Sequence, residues 1–176
     1  MNQVERFWQI ETDLEPLGLC RWSLEPGKTV PAGAVVFASL GVDGIQFCVL
    51  PDPGDEKLER APVYAVSPQN PEHVLEPLAE DLLHFFSLVV QVGDAGILES
   101  ASYCSRPEFE DALSSPGLGA DFEQERKLAS AALESSFPLF KIPDPFGYLE
   151  RMRLRFPRNV IQFDRKRDEI PQEKEK

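Results

Sequence analysis

Residues 34–50, AVVFASLGVDGIQFCVL, decide the fold. Two apolar runs, 34–40 and 45–50, flank the turn Gly41-Val42-Asp43-Gly44. Val35, Val36, Phe37, Ile45, Phe47 and Val49 are β-branched or aromatic, side chains that fit a pleated, packed surface. Asp-Gly between two such runs is a strong short-range signal for a hairpin. A third run, PVYAVS at 62–67, follows a polar loop and is expected to lie beside the second strand. The first element the chain specifies is therefore a small antiparallel sheet.

Downstream of this sheet the hydrophobic period changes from 2 to 3.6. From Pro77, the residues Leu78, Leu82, Phe85, Phe86, Val89 and Val92 fall on one helical face. Glu80, His84, Ser87 and Gln91 take the opposite face, with Pro77 in the first turn and Gly93 as the C-cap. This helix is expected to dock on the hairpin. Four more helices follow: one after Asp94 as N-cap, one from Pro107, one over 121–136 and one after Asp144-Pro145. Phe109, Ala112 and Leu113 should face inward on the second of these four. Phe122, Leu128, Ala129, Ala132 and Leu133 should do so on the third, where Glu123 and Lys127 form an i,i+4 pair. Upstream, residues 3–13 read as a short helix or irregular lead-in anchored by Phe7, Trp8 and Ile10. Residues 20–24 read as a brief strand in which Trp22 is a packing residue. NVIQF at 159–163 reads as a late strand. The expected organisation is one α+β domain over residues 1–165, an antiparallel, curved sheet packed on one side by several helices, and a charged tail over 166–176.

The charge balance narrows the function classes. The 176 residues carry a net charge of −12. Residues 1–150 hold 25 acidic and 9 basic side chains, whereas 151–176 hold 5 and 9. An acidic body repels nucleic acid and anionic lipid surfaces and attracts basic partners. No window approaches the ~18 consecutive apolar residues of a membrane span. No basic leader followed by an apolar core opens the sequence, and the expected location is the cytoplasm.

Few side chains suggest chemistry. Cys20, Cys48 and Cys104 are far apart and odd in number, which argues against a disulfide framework. Two histidines leave little from which to build a zinc site, and no metal or cofactor is expected. His84, on the polar face of its helix, reads as a surface residue. The stretch Gly93-Asp94-Ala95-Gly96 lacks the following Lys-Ser/Thr of a phosphate loop, and no G-x-S-x-G is present. Carboxylates on helix surfaces, such as Glu108 and Asp111 or Glu123 and Glu125, are the only material for a hydrolase. The basic residues Arg151, Arg153, Arg155, Arg158, Arg165, Lys166 and Arg167 are expected to pair with the acidic body. The densest acidic cluster on a loop is Asp52, Asp55, Glu56 and Glu59. It lacks the ligand spacing of a calcium loop and is the candidate partner-binding site.

The block VFASLGVDGIQFCVLPDPGD, then APVYAVSP, then LHFFSLVVQVGDAGILESA resembles the SUKH superfamily of SMI-type, cell-wall-regulator-like proteins. The resemblance covers roughly residues 33–165 and includes the DPFGYLERM helix. It implies an α+β fold and a non-enzymatic role. Many bacterial members of that superfamily are similar to immunity proteins, so the resemblance further implies binding to a cognate, basic toxin domain, often a nuclease. The alternatives are a hydrolase using carboxylates in a surface cleft, and a regulatory scaffold protein.

Overall fold

The computed structural model describes residues 1–22, 24–52, 54, 57–115 and 120–156. Four strands, β1 (Val35–Ser39), β2 (Gln46–Val49), β3 (Val63–Val66) and β4 (Leu75–Ala79), form one antiparallel sheet in sequential order. Val36 pairs with Cys48 and Ser39 with Gln46, so the expected hairpin forms in the expected place. β3 pairs with β2, Phe47 opposite Ala65. Six α-helices accompany the sheet, which makes the fold α+β.

Both faces of the sheet are covered, by different means. Phe37, Phe47, Val49, Val63 and Ala65 face a helical layer, where they meet Phe85, Phe86 and Leu82 of α2 (Leu82–Val92). Phe7 of α1 (Gln3–Trp8) stacks on Phe86 at 5.1 Å, and Phe47 meets Phe85 at 5.4 Å. Val36, Cys48, Tyr64, Val66 and Leu75 alternate to the other face and pack with Leu24, Val30 and Ala34 from the segment before β1. Period-2 alternation thus feeds two apolar cores. Cys48 is fully buried, and that burial pushes its thiol up to about 12.

The sheet edges are closed. On β1, Cys20 and Ser39 exchange backbone hydrogen bonds of 2.8 and 2.9 Å, and Trp8 Nε1 donates to the Phe37 carbonyl at 3.0 Å. On β4, α6 (Pro145–Arg155) lies alongside the strand. Tyr148 Oη accepts from the Glu80 amide at 3.1 Å, and Arg155 reaches the Glu80 carboxylate at 2.7 Å. Unpaired edges invite further strand addition, and these contacts remove that option.

The helix expected from Pro77 begins later. Residues 75–79 are a fourth strand, with Pro77 opposite Tyr64, and all five are buried. Proline fits there because β4 is an edge strand. Asp81 is the N-cap of α2 and accepts from the His84 amide at 2.8 Å, while Gly93 closes the helix at φ +86°. Ser87 is buried rather than on a solvated face, and Gln91, though exposed, is bonded to a neighbouring segment. Ser87 Oγ accepts from the Phe140 amide at 3.2 Å, and Gln91 bonds both the amide and the carbonyl of Ile142. They tie the segment after α5 (Ala120–Ser136) to α2.

The remaining helices start where their caps stand. Asp94 caps α3 (Ala95–Ser100). Ser105 and Glu108 form a capping box for α4 (Arg106–Ser114), and Asp144 caps α6. Pro107 is the second residue of α4 rather than its first. Phe109 is buried, but Leu113 and Leu128 are exposed, because neither helix is covered on that flank. Glu123 pairs with Arg126 at 3.4 Å rather than with Lys127. The expected strand at 159–163 and the charged tail at 166–176 lie outside the described residues.

Candidate functional site

The antiparallel order divides the connections between two ends of the sheet. One end carries the 50–62 loop and the Glu80–Asp81 corner. The other carries the Gly41–Gly44 turn and the Ser67–Val74 connection. The candidate partner residues lie at the first end. Asp52 and Glu59 are both exposed there, Glu59 within a short 3-10 turn, Leu58–Arg60. Asp55 and Glu56 lie outside the described residues.

His84 sits at the same end and is not a free surface histidine. Its Nδ1 lies 2.8 Å from Asp81 Oδ1 and its Nε2 lies 3.1 Å from Glu80 Oε1. The ring stacks on Tyr148 at 5.7 Å and meets the edge of Phe140 at 4.8 Å. With both nitrogens facing carboxylates, the ring has none left for a substrate proton. It fastens the corner between β4 and α2 to α6. Arg151 lies over Tyr148, Arg153 donates to the Ala101 carbonyl, and Arg155 pairs with Glu80. Of these three, Arg155 pairs with a carboxylate of the body as expected, Arg153 bonds a backbone carbonyl, and Arg151 stays over a ring of its own helix. Arg158, Arg165, Lys166 and Arg167 lie outside the described residues.

The opposite end differs in character. A shallow depression of about 140 Å³ is lined by Trp22, Ser39, the turn residues 41–44, Ile45 and Gln46. Trp22 is 53% exposed and Val42 56%, so two large apolar side chains face solvent beside one turn. The turn is shaped by three positive φ angles, at Gly41 (+82°), Asp43 (+53°) and Gly44 (+68°). Gly41 is required twice over. A Cβ there would stand 2.9 Å from Cys20 Sγ and 3.3 Å from the Trp22 ring, in a backbone conformation that suits glycine. Asp43 tolerates the left-handed region better than most residues.

Each exposed group is held from behind. Trp22 Nε1 donates to Glu15 Oε1 at 2.6 Å, and the Trp22 carbonyl accepts from Ser39 Oγ at 3.1 Å. Tyr103, 52% exposed just after α3, donates to Glu99 Oε2 at 2.8 Å. Glu99 is only 4% exposed, and its second oxygen accepts from Ser67 Oγ at 2.7 Å. His73 lies 5.9 Å from the Tyr103 ring, with Nδ1 2.7 Å from the buried Glu76 Oε1. Partial burial, the Glu99 hydrogen bond and the charges of Glu99 and Asp43 push the Tyr103 hydroxyl up to about 12. Asp43 itself lines the depression beside Trp22.

The field at this end is negative. Burial, followed by the charges of Glu15 and Asp13, pushes the Cys20 thiol up to about 11. Cys104 is also raised, chiefly by burial. Thiols shifted in this direction stay protonated near neutrality and are poor nucleophiles. Arg21, the cation next to Trp22 in sequence, turns away to donate to the carbonyls of Ile10 and Thr12. The depression is smaller than the ~300–1,000 Å³ of typical ligand pockets. Asp43 is its one ionisable lining residue, so it holds no pair of carboxylates for acid–base work. Among the described residues, no group of three or more His, Cys, Asp or Glu side chains is placed to hold a metal ion. None of their helices is long and apolar enough to cross a membrane.

Sequence reasoning placed the site at the acidic loop and missed Trp22, Val42 and Asp43. Trp22, expected to pack, is instead an exposed ring tethered by its N–H. One signal was available: an apolar Val42 at the tip of a turn otherwise made of Gly and Asp. Comparison with protein families, with characterised proteins and with solved structures finds no match to this chain.

Proposed function

We propose that this chain is a non-enzymatic protein-binding domain whose partner is basic, acting as SUKH-type immunity proteins do when they bind a toxin domain. One observation carries the reading: Trp22 and Val42 stand exposed beside Asp43 and Glu15, on a protein of net charge −12. Exposed aromatic side chains are costly to leave in water and recur as anchors at interfaces. Carboxylates around such an anchor select a positive partner and speed its approach. The hydrolase alternative has less support, since both His84 nitrogens face carboxylates and the depression offers a single ionisable group.

Capture with the immobilised chain tests this. The wild-type protein is expected to retain a basic protein from the cells that make it, and to release it at high salt. A Trp22→Ala/Val42→Ser/Asp43→Asn triple variant is expected to retain much less. Equal retention by both, or hydrolysis of model ester substrates that the triple variant has lost, would overturn the proposal.

A further inference from the structure

We infer that the surface formed by Trp22, Val42 and Asp43 is an arginine-reading site, taking one guanidinium of the partner over the indole face with its fork on Asp43. This inference deepens the protein-binding reading and rests on it. The argument begins with side-chain chemistry. An aromatic ring offers a negative face that attracts a cation, and indole is the best such ring. A guanidinium is planar and weakly hydrated, stacks on rings and bonds a carboxylate with two parallel N–H groups. An ammonium has neither the plane nor the fork. The surface supplies the two matching parts, since Asp43 lines the depression with Trp22. Val42, exposed at the turn, supplies apolar contact for the methylene stem of such a side chain.

The parts are fixed before any partner arrives. Glu15 holds the indole N–H at 2.6 Å. Bonds from Leu40 N to Ile45 O and from Ile45 N to Val42 O close the turn that presents Asp43, each 3.0 Å long. A ring and a carboxylate that are already positioned lose little further freedom on binding. Charge also favours a cation, because the Glu15 carboxylate sits on the Trp22 indole N–H and Arg21 is taken up by the Ile10 and Thr12 carbonyls. At about 140 Å³ the depression suits one inserted side chain rather than a folded domain surface, so the arginine is expected on a loop or an extended segment.

Titration of the ¹⁵N-labelled full chain followed by NMR is the test. The probes are three capped peptides, each with a central residue flanked by leucines: arginine, lysine or citrulline, the last a neutral mimic of arginine. The arginine peptide is expected to shift the Trp22 indole N–H and the Val42 and Asp43 amides. The lysine peptide is expected to bind about five-fold more weakly, the ratio worth roughly 1 kcal/mol of ring and fork contact, and the citrulline peptide more weakly still. Trp22→Ala should abolish the shifts. Asp43→Asn, which keeps the turn, should weaken binding several-fold. Equal binding of arginine and citrulline peptides, no shift with any peptide, or shifts centred on Asp52 and Glu59 would overturn the inference. A partner still captured in those cases would leave the binding reading standing, with a different contact surface.

Discussion

Phe47 shows how tightly individual side chains are fixed. Its ring is fully buried, 5.4 Å from Phe85, which in turn meets Phe37 at 5.6 Å and Phe86 at 5.8 Å. Removing it leaves a void bounded by other rings that cannot collapse together. Phe47→Ala is therefore expected to lower stability by roughly 3–5 kcal/mol in urea unfolding, the range for deleting a buried aromatic. A loss below about 1 kcal/mol would mean that the surrounding rings are not packed against it. Phe47 was legible in the sequence because strand alternation and turn chemistry place it inward together. Trp22 was not, because no periodic element contains it. Whether a ring in a loop is covered depends on what the rest of the chain lays over it, and here Glu15 binds its N–H while about half of the side chain stays exposed.

Among the elements, the joint between α4 and α6 holds one carboxylate that serves both helices, beside the packing of Phe109 on Phe146. Asp144 caps α6 through the Gly147 amide at 3.1 Å and binds Arg106 of α4 at 2.8 and 3.1 Å. The Arg106 hydrogen bonds, then the Gly147 amide, lower its carboxyl from 3.8 to about 2. The unfolded chain therefore takes up this proton before the folded one does. The stabilisation is present in full above the unfolded value and is lost as pH falls through about 2. Melting temperatures of wild type and Asp144→Asn should differ by a constant amount above pH ~4 and converge as the pH falls toward 2. A gap that persists unchanged into that acid range would show that the side chain's charge is irrelevant to the joint. Helix starts were legible at Asp94 and Asp144, where an aspartate cap opens the helix, and one residue late at α4, whose cap is Ser105. The failure at Pro77 has a physical cause. Leu75, Leu78 and Leu82 follow helical spacing by coincidence, and β4 is buried throughout, so no polar alternation marks it as a strand. Asp81, the true cap, lay four residues further on.

For the whole molecule, charge is the property that acts at range. Exposed charges separated by more than about 10 Å are screened at 0.1 M salt, so an acidic body guides a basic partner only when salt is low. Asp52 and Glu59, and with them in sequence Asp55 and Glu56, make up the acidic cluster, and the two described members lie at the end of the sheet away from Trp22. They are expected to steer rather than to hold. Neutralising all four should slow association with the captured basic partner several-fold and leave dissociation nearly unchanged. Stopped-flow measurements at two salt concentrations would show it, and unchanged association at low salt would assign those residues to solubility alone. The overall class, α+β with a meander sheet, could be read from the chain because its turns and caps are local signals. The surface could not, since exposure is settled only when all the elements have met.

The way α6 closes β4 has a consequence for how the chain is made. The four strands pair in the order of synthesis, so the sheet can assemble as it emerges, each pairing closing only a short loop. The flank of β4 must wait: Tyr148 and Arg155 reach Glu80 from 68 and 75 residues further along the chain. At the ~5–20 residues added each second, a nascent sheet stands for seconds with one side bare. During that interval Pro77, which has no N–H to offer a foreign strand, is the edge's own guard against sticking to its neighbours on the polysome.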